Sequence, residues 1–202
     1  MRSEIGGGIL NFDKKNKEIT FNDIIWVGLN SAIISWLILF IGMNMTLEEF
    51  LPNLLLPGWK TFILLPITYL LTTLPFYLIN QKPSIKETNN ISLDKQLLSF
   101  STSKLAIIYL ITCSSEELLF RVAIQGSIAK FISSPIAIIL ASIIFALMHF
   151  RYIKYWELTL VIIWVGIIWG VLYVITGSWI MVSLAHFTHN FTISYLEKKK
   201  LK

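Results

Sequence analysis

Six stretches of the chain, each about as long as a bilayer is thick, are rich in Ile, Leu, Val, Phe and Trp. A helix crosses the roughly 30 Å hydrocarbon core with about 20 residues. Only helices or closed barrels satisfy their backbone hydrogen bonds there. The runs are continuous rather than alternating, so they predict helices. The chain is 55% hydrophobic and 14% charged, well under the roughly one-quarter charged residues of a soluble domain. The expected fold is all-α: a polytopic transmembrane bundle of about six spans.

The spans are expected at 24–43, 61–79, 104–125, 135–150, 158–176 and 179–196. Asn22 and Asp23 offer helix-start chemistry before the first, which reads as an uncleaved helix because no A-x-A-like cleavage site follows. Pro66 and Pro75 in the second are tolerated in membrane helices. The polar segment 81–103 reads as a mobile linker. Domain organisation follows: a cytoplasmic segment 1–23, a single bundle 24–196, and a basic tail 197–202.

The +5 net charge would suit nucleic acid if it were spread over a soluble surface. Its distribution says otherwise. With the N-terminus inside, 14 of the 17 Lys and Arg residues fall in cytoplasmic segments; Lys60 and Lys130 fall outside and Arg121 within the membrane. That asymmetry follows the positive-inside rule and puts both termini in the cytoplasm. No nucleic-acid partner is expected. Cys113 is the lone cysteine, so neither an intrachain disulfide nor a cysteine-based zinc site can form.

Charges inside the third span are the costly feature, since each is worth roughly 2.5–3.5 kcal/mol against insertion. Glu117 and Arg121 are spaced i, i+4 with Glu first, the favourable order for an ion pair on one helix face. Glu116 points about 100° away and is left free to react. The bland alternative is a salt-bridge cluster that only fixes packing, and it suits Glu117 and Arg121 better than Glu116. Phe145 and His149 repeat the i, i+4 spacing at the end of the fourth span. His186 and Asn190 repeat it in the sixth, with His189 as a packing or supporting residue. Each alone is weak: a single His or Asn in a membrane helix is commonly an interhelical hydrogen bond worth about 0.6 kcal/mol.

Depth brings them together. At 1.5 Å per residue, Glu116 lies about 18 Å from the cytoplasmic end of its span, and His186 and Asn190 about 10 and 16 Å from the outer end of theirs. His149, about 9 Å in from the cytoplasmic side, fits most loosely. In the fifth span, Gly166 and Gly170 have the G-x-x-x-G spacing that admits a close neighbour; the expected neighbour is the sixth span.

The ordered set E-E-x-x-x-R (Glu116, Glu117, Arg121), F-x-x-x-H (Phe145, His149) and H-x-x-x-N (His186, Asn190) resembles the CAAX protease and bacteriocin-processing family, also called Abi. The stretch GIIWGVLYVITGSWIMVSLAHFTHN resembles the region before that family's last motif, and the resemblance covers about 104–195. It implies an intramembrane endopeptidase acting on a peptide or lipidated protein substrate. Glu116 would be the general base and would hold the attacking water with His149. His186 and Asn190 would donate to the oxyanion, and Glu117 and Arg121 would fix the helix.

Cofactors are left open by the residues alone. Glu116, His149 and His186 could hold Zn²⁺ with an open fourth position; there is no H-E-x-x-H stretch, and the resemblance favours a metal-independent glutamate mechanism. The alternatives are a non-catalytic immunity or peptide-binding protein using the same cavity and, further off, a proton-coupled transporter. The richness in Ile, Asn and Lys fits an AT-rich genome, so the expected location is a bacterial cytoplasmic membrane, with the bilayer as the first partner.

Overall fold

A computed structural model of the chain describes residues 19–80, 92–149, 152–153 and 155–200. Residues 1–18 of the expected N-terminal segment, 81–91 of the linker, Phe150, Arg151, Lys154 and the last two residues lie outside the described residues. Among these, every regular element is a helix. α1 is Phe21–Trp36, prolonged by a π-helical segment Leu37–Gly42. A short α2, Leu47–Phe50, and two 3₁₀ turns, Leu51–Leu54 and Trp59–Ile63, lead to α3, Leu64–Asn80. α4 is Ser92–Ser99, and α5, Thr102–Glu117, continues through a π-helical segment Leu118–Gln125 into α6, Gly126–Ala129. α7 is Ser134–Met148, α8 Trp156–Thr176 and α9 Trp179–Lys200.

Local chemistry sets the element ends. Thr20 accepts from the Asp23 amide while the Asp23 carboxylate takes the Thr20 amide, a capping box that starts α1. Thr46 and Glu49 repeat the device at α2. The Thr46 amide and hydroxyl, with Lys130 nearby, hold the Glu49 carboxyl below the usual carboxylate range. α8 ends on Gly177 at φ 60°, a left-handed residue for which glycine is the natural choice.

Three helical stretches are long and apolar enough to cross a membrane by length and composition: Phe21–Gly42, Trp59–Ile79 and Trp156–Thr176. α7, with 15 residues, is shorter than the span expected there. It stops at Met148 rather than 150, with His149 as its C-cap. The expected third and sixth spans are unbroken helices, but their polar residues lower their hydropathy. The linker reading is corrected in part: 92–99 is helical, in keeping with Leu93 and Leu97 at i, i+4.

The outside of the bundle is apolar. Trp26, Val27, Ile41, Ile63, Leu70, Leu78, Leu160 and Ile175 are all exposed, an arrangement that water would penalise and lipid accepts. The interior holds the polar groups instead: Glu117, Arg121, Gln125, His186 and His189 are buried. Between them sits an aromatic core of Phe120, Phe145 and Trp169, packed with Met181 and Val182.

Helix ends sort into two groups. At one end, Phe21 meets Phe100 edge-on, the Ile19 amide donates to Gln96, and Lys198 Nζ donates to the carbonyls of Leu98 and Phe100. The starts of α1 and α5 and the end of α9 therefore lie together, and Lys104 stands over the Phe21 ring there. At the other end, Tyr173 donates to Asn53, and Phe50 packs on Trp36 and Phe40.

Candidate active site

Two antiparallel helices build the site rung by rung. Tyr109 bonds Ser194, Asn190 Nδ2 lies 3.6 Å from Cys113 Sγ, and Glu117 Oε1 lies 2.7 Å from His186 Nδ1. Each step is four residues along α5 and four back along α9, so three polar rungs occupy facing stripes. The register of the two helices is fixed by these contacts.

Glu117 is the hub. Its second oxygen accepts from Arg121 Nε at 2.9 Å, and both side chains are fully buried. Arg121 Nη1 reaches Gln125 Oε1 at 3.4 Å, and Gln125 Nε2 donates to the Gly170 carbonyl at 3.2 Å. Cys113, Glu117, Arg121 and Gln125 follow one another at four-residue intervals. The helix turns from α to π immediately after Glu117. An α-helix advances such a series round its axis, whereas the wider i→i+5 turn holds it back, so the four stay on one face. π segments of this kind are frequent at functional sites.

His186 is clamped on every side. Asn190 Nδ2 lies 2.9 Å from His186 Nε2. With the amide donating, Nε2 accepts, so the ring proton sits on Nδ1 and is given to Glu117. Trp169 stacks on the imidazole at 3.9 Å and 26°, and Phe145 meets it edge-on at 6.1 Å. Glu116 stands apart from this buried cluster, with 32% of its side chain exposed, and its Oε2 lies 3.8 Å from His186 Nε2.

Five of the six site residues predicted from the sequence are thus brought together: Glu116, Glu117, Arg121, His186 and Asn190. His149 is not. Its Nδ1 lies 2.8 Å from the Phe145 carbonyl and its ring packs on Phe145 at 4.6 Å. Among the described residues it has no ion pair or hydrogen bond with Glu116. α7 ends at Met148, and the ring turns back on its own last turn. His189 is buried, with Nδ1 3.0 Å from Thr73 Oγ1 and its ring against Trp169 and Phe76.

The zinc set does not assemble in this arrangement. No group of three His, Cys, Asp or Glu side chains is gathered at ligating distance among the described residues. Both nitrogens of His186 are already engaged, by Glu117 and Asn190. The side chains present do not fit the three-ligand catalytic zinc centre.

The glycine pair faces other neighbours than expected. A Cβ on Gly166 would lie 3.0 Å from Ser142 Cβ, on α7, and one on Gly170 would lie 2.8 Å from Gln125 Oε1 and 3.0 Å from Ile138 Cγ2. Gly166 admits α7 and Gly170 admits α7 and the π segment, rather than α9; Trp169 beside them makes the contact with His186. Gly170→Ala is expected to destabilise the protein by about 1–3 kcal/mol, the usual cost of overpacking. Gly58→Ala, where nothing lies within 4 Å, serves as the neutral control. Thermal unfolding in detergent micelles measures the difference.

Sequence reasoning missed Trp169, Gln125 and Cys113 as parts of the site. The four-residue ladder from Cys113 to Gln125 was the available signal; nothing in the sequence singled out Trp169 among seven tryptophans.

These features define a class: a helical membrane protein with a buried carboxylate–imidazole cluster and one accessible glutamate beside it. The comparisons give the family likeness. Residues 98–192, just under half of the chain, match the model of the Rce1-like family, type II CAAX prenyl endopeptidases. The match spans all three motifs and coincides with the resemblance read from the sequence. No curated protein and no solved structure matches the chain.

Proposed function

We propose that the protein is an intramembrane endopeptidase that hydrolyses a peptide bond in a membrane-associated or lipidated substrate, with Glu116 activating the water. The observation that carries this reading is the placement of Glu116. It is a partly accessible carboxylate 3.8 Å from His186 Nε2, inside the segment that matches the family. Glu116 removes a proton from water as the oxygen attacks the scissile carbonyl. Asn190 turns an amide N–H from His186 toward the developing oxyanion, and His186 Nε2 is then free to take part in proton transfer. Collapse of the intermediate returns the proton to the leaving amine, so one water is consumed and one acid and one amine form. Glu117 holds the imidazole in the required tautomer. His149 contributes only if its ring leaves the Phe145 carbonyl, since catalytic hydrogen bonds often tighten only with substrate bound. No metal takes part in this scheme.

The same reading takes the bundle as six spans with both termini in the cytoplasm of a bacterial cell. In support, Lys104 and Lys198 cluster at one end of the bundle, while Lys130 acts on Glu49 at the other. The substrate enters from the lysine-rich side. The test is mass spectrometry of peptides released in membranes carrying wild type or Glu116→Gln. A product found only with wild type supports proteolysis. Identical peptide profiles, with peptide still captured by the variant, would instead mark a binding protein.

A further inference from the structure

Away from the acid–imidazole cluster, the C-terminal halves of α3 and α9 line a half-open cavity of about 340 Å³. Pockets that bury most of a small ligand start near this size. Phe76, Ile193 and Leu196 supply apolar wall; Lys199, Lys200 and Glu197 line it from the last turn of α9. The charged groups differ in how firmly they are held. Lys198 is committed to the carbonyls of Leu98 and Phe100. Lys200 pairs with Glu197 at 2.7 Å while 54% of its side chain stays exposed, and Lys199 lies over the Tyr195 ring at 4.7 Å. Exposed pairs of this kind are weak, so a stronger anion can draw Lys200 away from Glu197.

The lining is thus apolar along the helices and cationic where they end. A free anion would leave the apolar wall unmet, and a zwitterionic lipid would bring its own ammonium against the lysines. Basic pockets between transmembrane helices at the cytoplasmic face suit anionic head groups. We propose that this cavity is a binding site for an anionic phospholipid, with one acyl chain between α3 and α9 and its phosphate at Lys199 and Lys200. The inference needs only that the bundle is embedded in a bilayer. It stands or falls separately from the proteolytic reading, because none of the six candidate site residues lines the cavity.

The full chain, purified from nanodiscs of equimolar phosphatidylglycerol and phosphatidylcholine, provides the test, with retained lipid counted by native mass spectrometry. Each lysine near an anionic head group is worth about fivefold in preference. Wild type is therefore expected to retain phosphatidylglycerol over phosphatidylcholine, and Lys199→Gln/Lys200→Gln to lower that ratio roughly 25-fold. Ile193→Trp, which fills the apolar part, is expected to reduce retention of phosphatidylglycerol with both lysines intact. Lys60→Gln, in the turn before α3, should change nothing. An unchanged ratio in the double-lysine protein, unchanged retention in Ile193→Trp, or displacement of the lipid by inorganic phosphate alone would each overturn the proposal. Melting temperatures taken on the same samples confirm that the variants compared are folded.

Discussion

Glu116→Gln is expected to yield a protein that folds as the parent does and cleaves about 10²- to 10⁴-fold more slowly, the span over which a positioned general base contributes. The substitution keeps shape and removes only the ability to accept a proton from water. Its structural cost is small for a stated reason. Glu116 is one-third exposed and its carboxylate lies 3.8 Å from His186 Nε2, beyond hydrogen-bond distance, so no buried partner is orphaned. The comparison that sharpens this is Asn190→Ala. Losing an oxyanion donor costs about 10²- to 10³-fold in rate, and it also frees His186 Nε2 and removes the 3.6 Å contact with Cys113. Asn190→Ala should therefore lose both rate and thermal stability, whereas Glu116→Gln loses rate alone. Cleavage of a lipidated C-terminal peptide, read beside melting in the same detergent, separates the two. Full activity in Glu116→Gln would remove Glu116 from the chemistry and end the glutamate mechanism.

Much of this arrangement was legible because membrane helices obey few rules strictly. Apolar runs of bilayer length had to be helices, and i, i+4 spacing had to put Glu117 with Arg121 and His186 with Asn190 on shared faces. What a one-helix reading could not supply was the pairing between helices. Glu117 looked like a partner for Arg121 alone, yet a carboxylate has two oxygens, and the second one holds His186. The antiparallel register that makes this possible was written in the repeated steps Tyr109–Cys113–Glu117 and His186–Asn190–Ser194, visible only when both helices are laid side by side. The π segment 118–125 was hidden because the sequence cost of a wider turn is spread over tertiary contacts, here Gln125 with Gly170. His149 was the loosest fit for a related reason: its depth was counted from an assumed helix end, and the helix stops at Met148. The glycine pair was read correctly as a close-approach surface and given the wrong partner, since spacing reports that something approaches and not what.

Arg121→Met should produce the largest loss of stability, about 3–5 kcal/mol, because it leaves the Glu117 carboxylate buried with only the His186 imidazole beside it. Glu117→Gln should cost a similar amount by leaving the Arg121 guanidinium without its counter-charge in a site with no access to water. The double variant Glu117→Gln/Arg121→Met is the decisive one. Neither charge is then stranded, so its loss should fall well short of the sum of the two singles, as expected for residues in direct contact. Denaturation in detergent across the four proteins gives the cycle, and strict additivity would show that the pair does not act as a unit. Activity should part from stability in that series. Even a double variant that melts near wild type lacks the carboxylate oxygen that holds the proton on His186 Nδ1, so it should remain slow. A buried ion pair is poor evidence of stabilisation in itself; its use here is to hold the Glu117 oxygen that fixes the imidazole. That is why so costly a cluster of charges can be sustained where the surrounding side chains are Leu118, Phe120 and Val122.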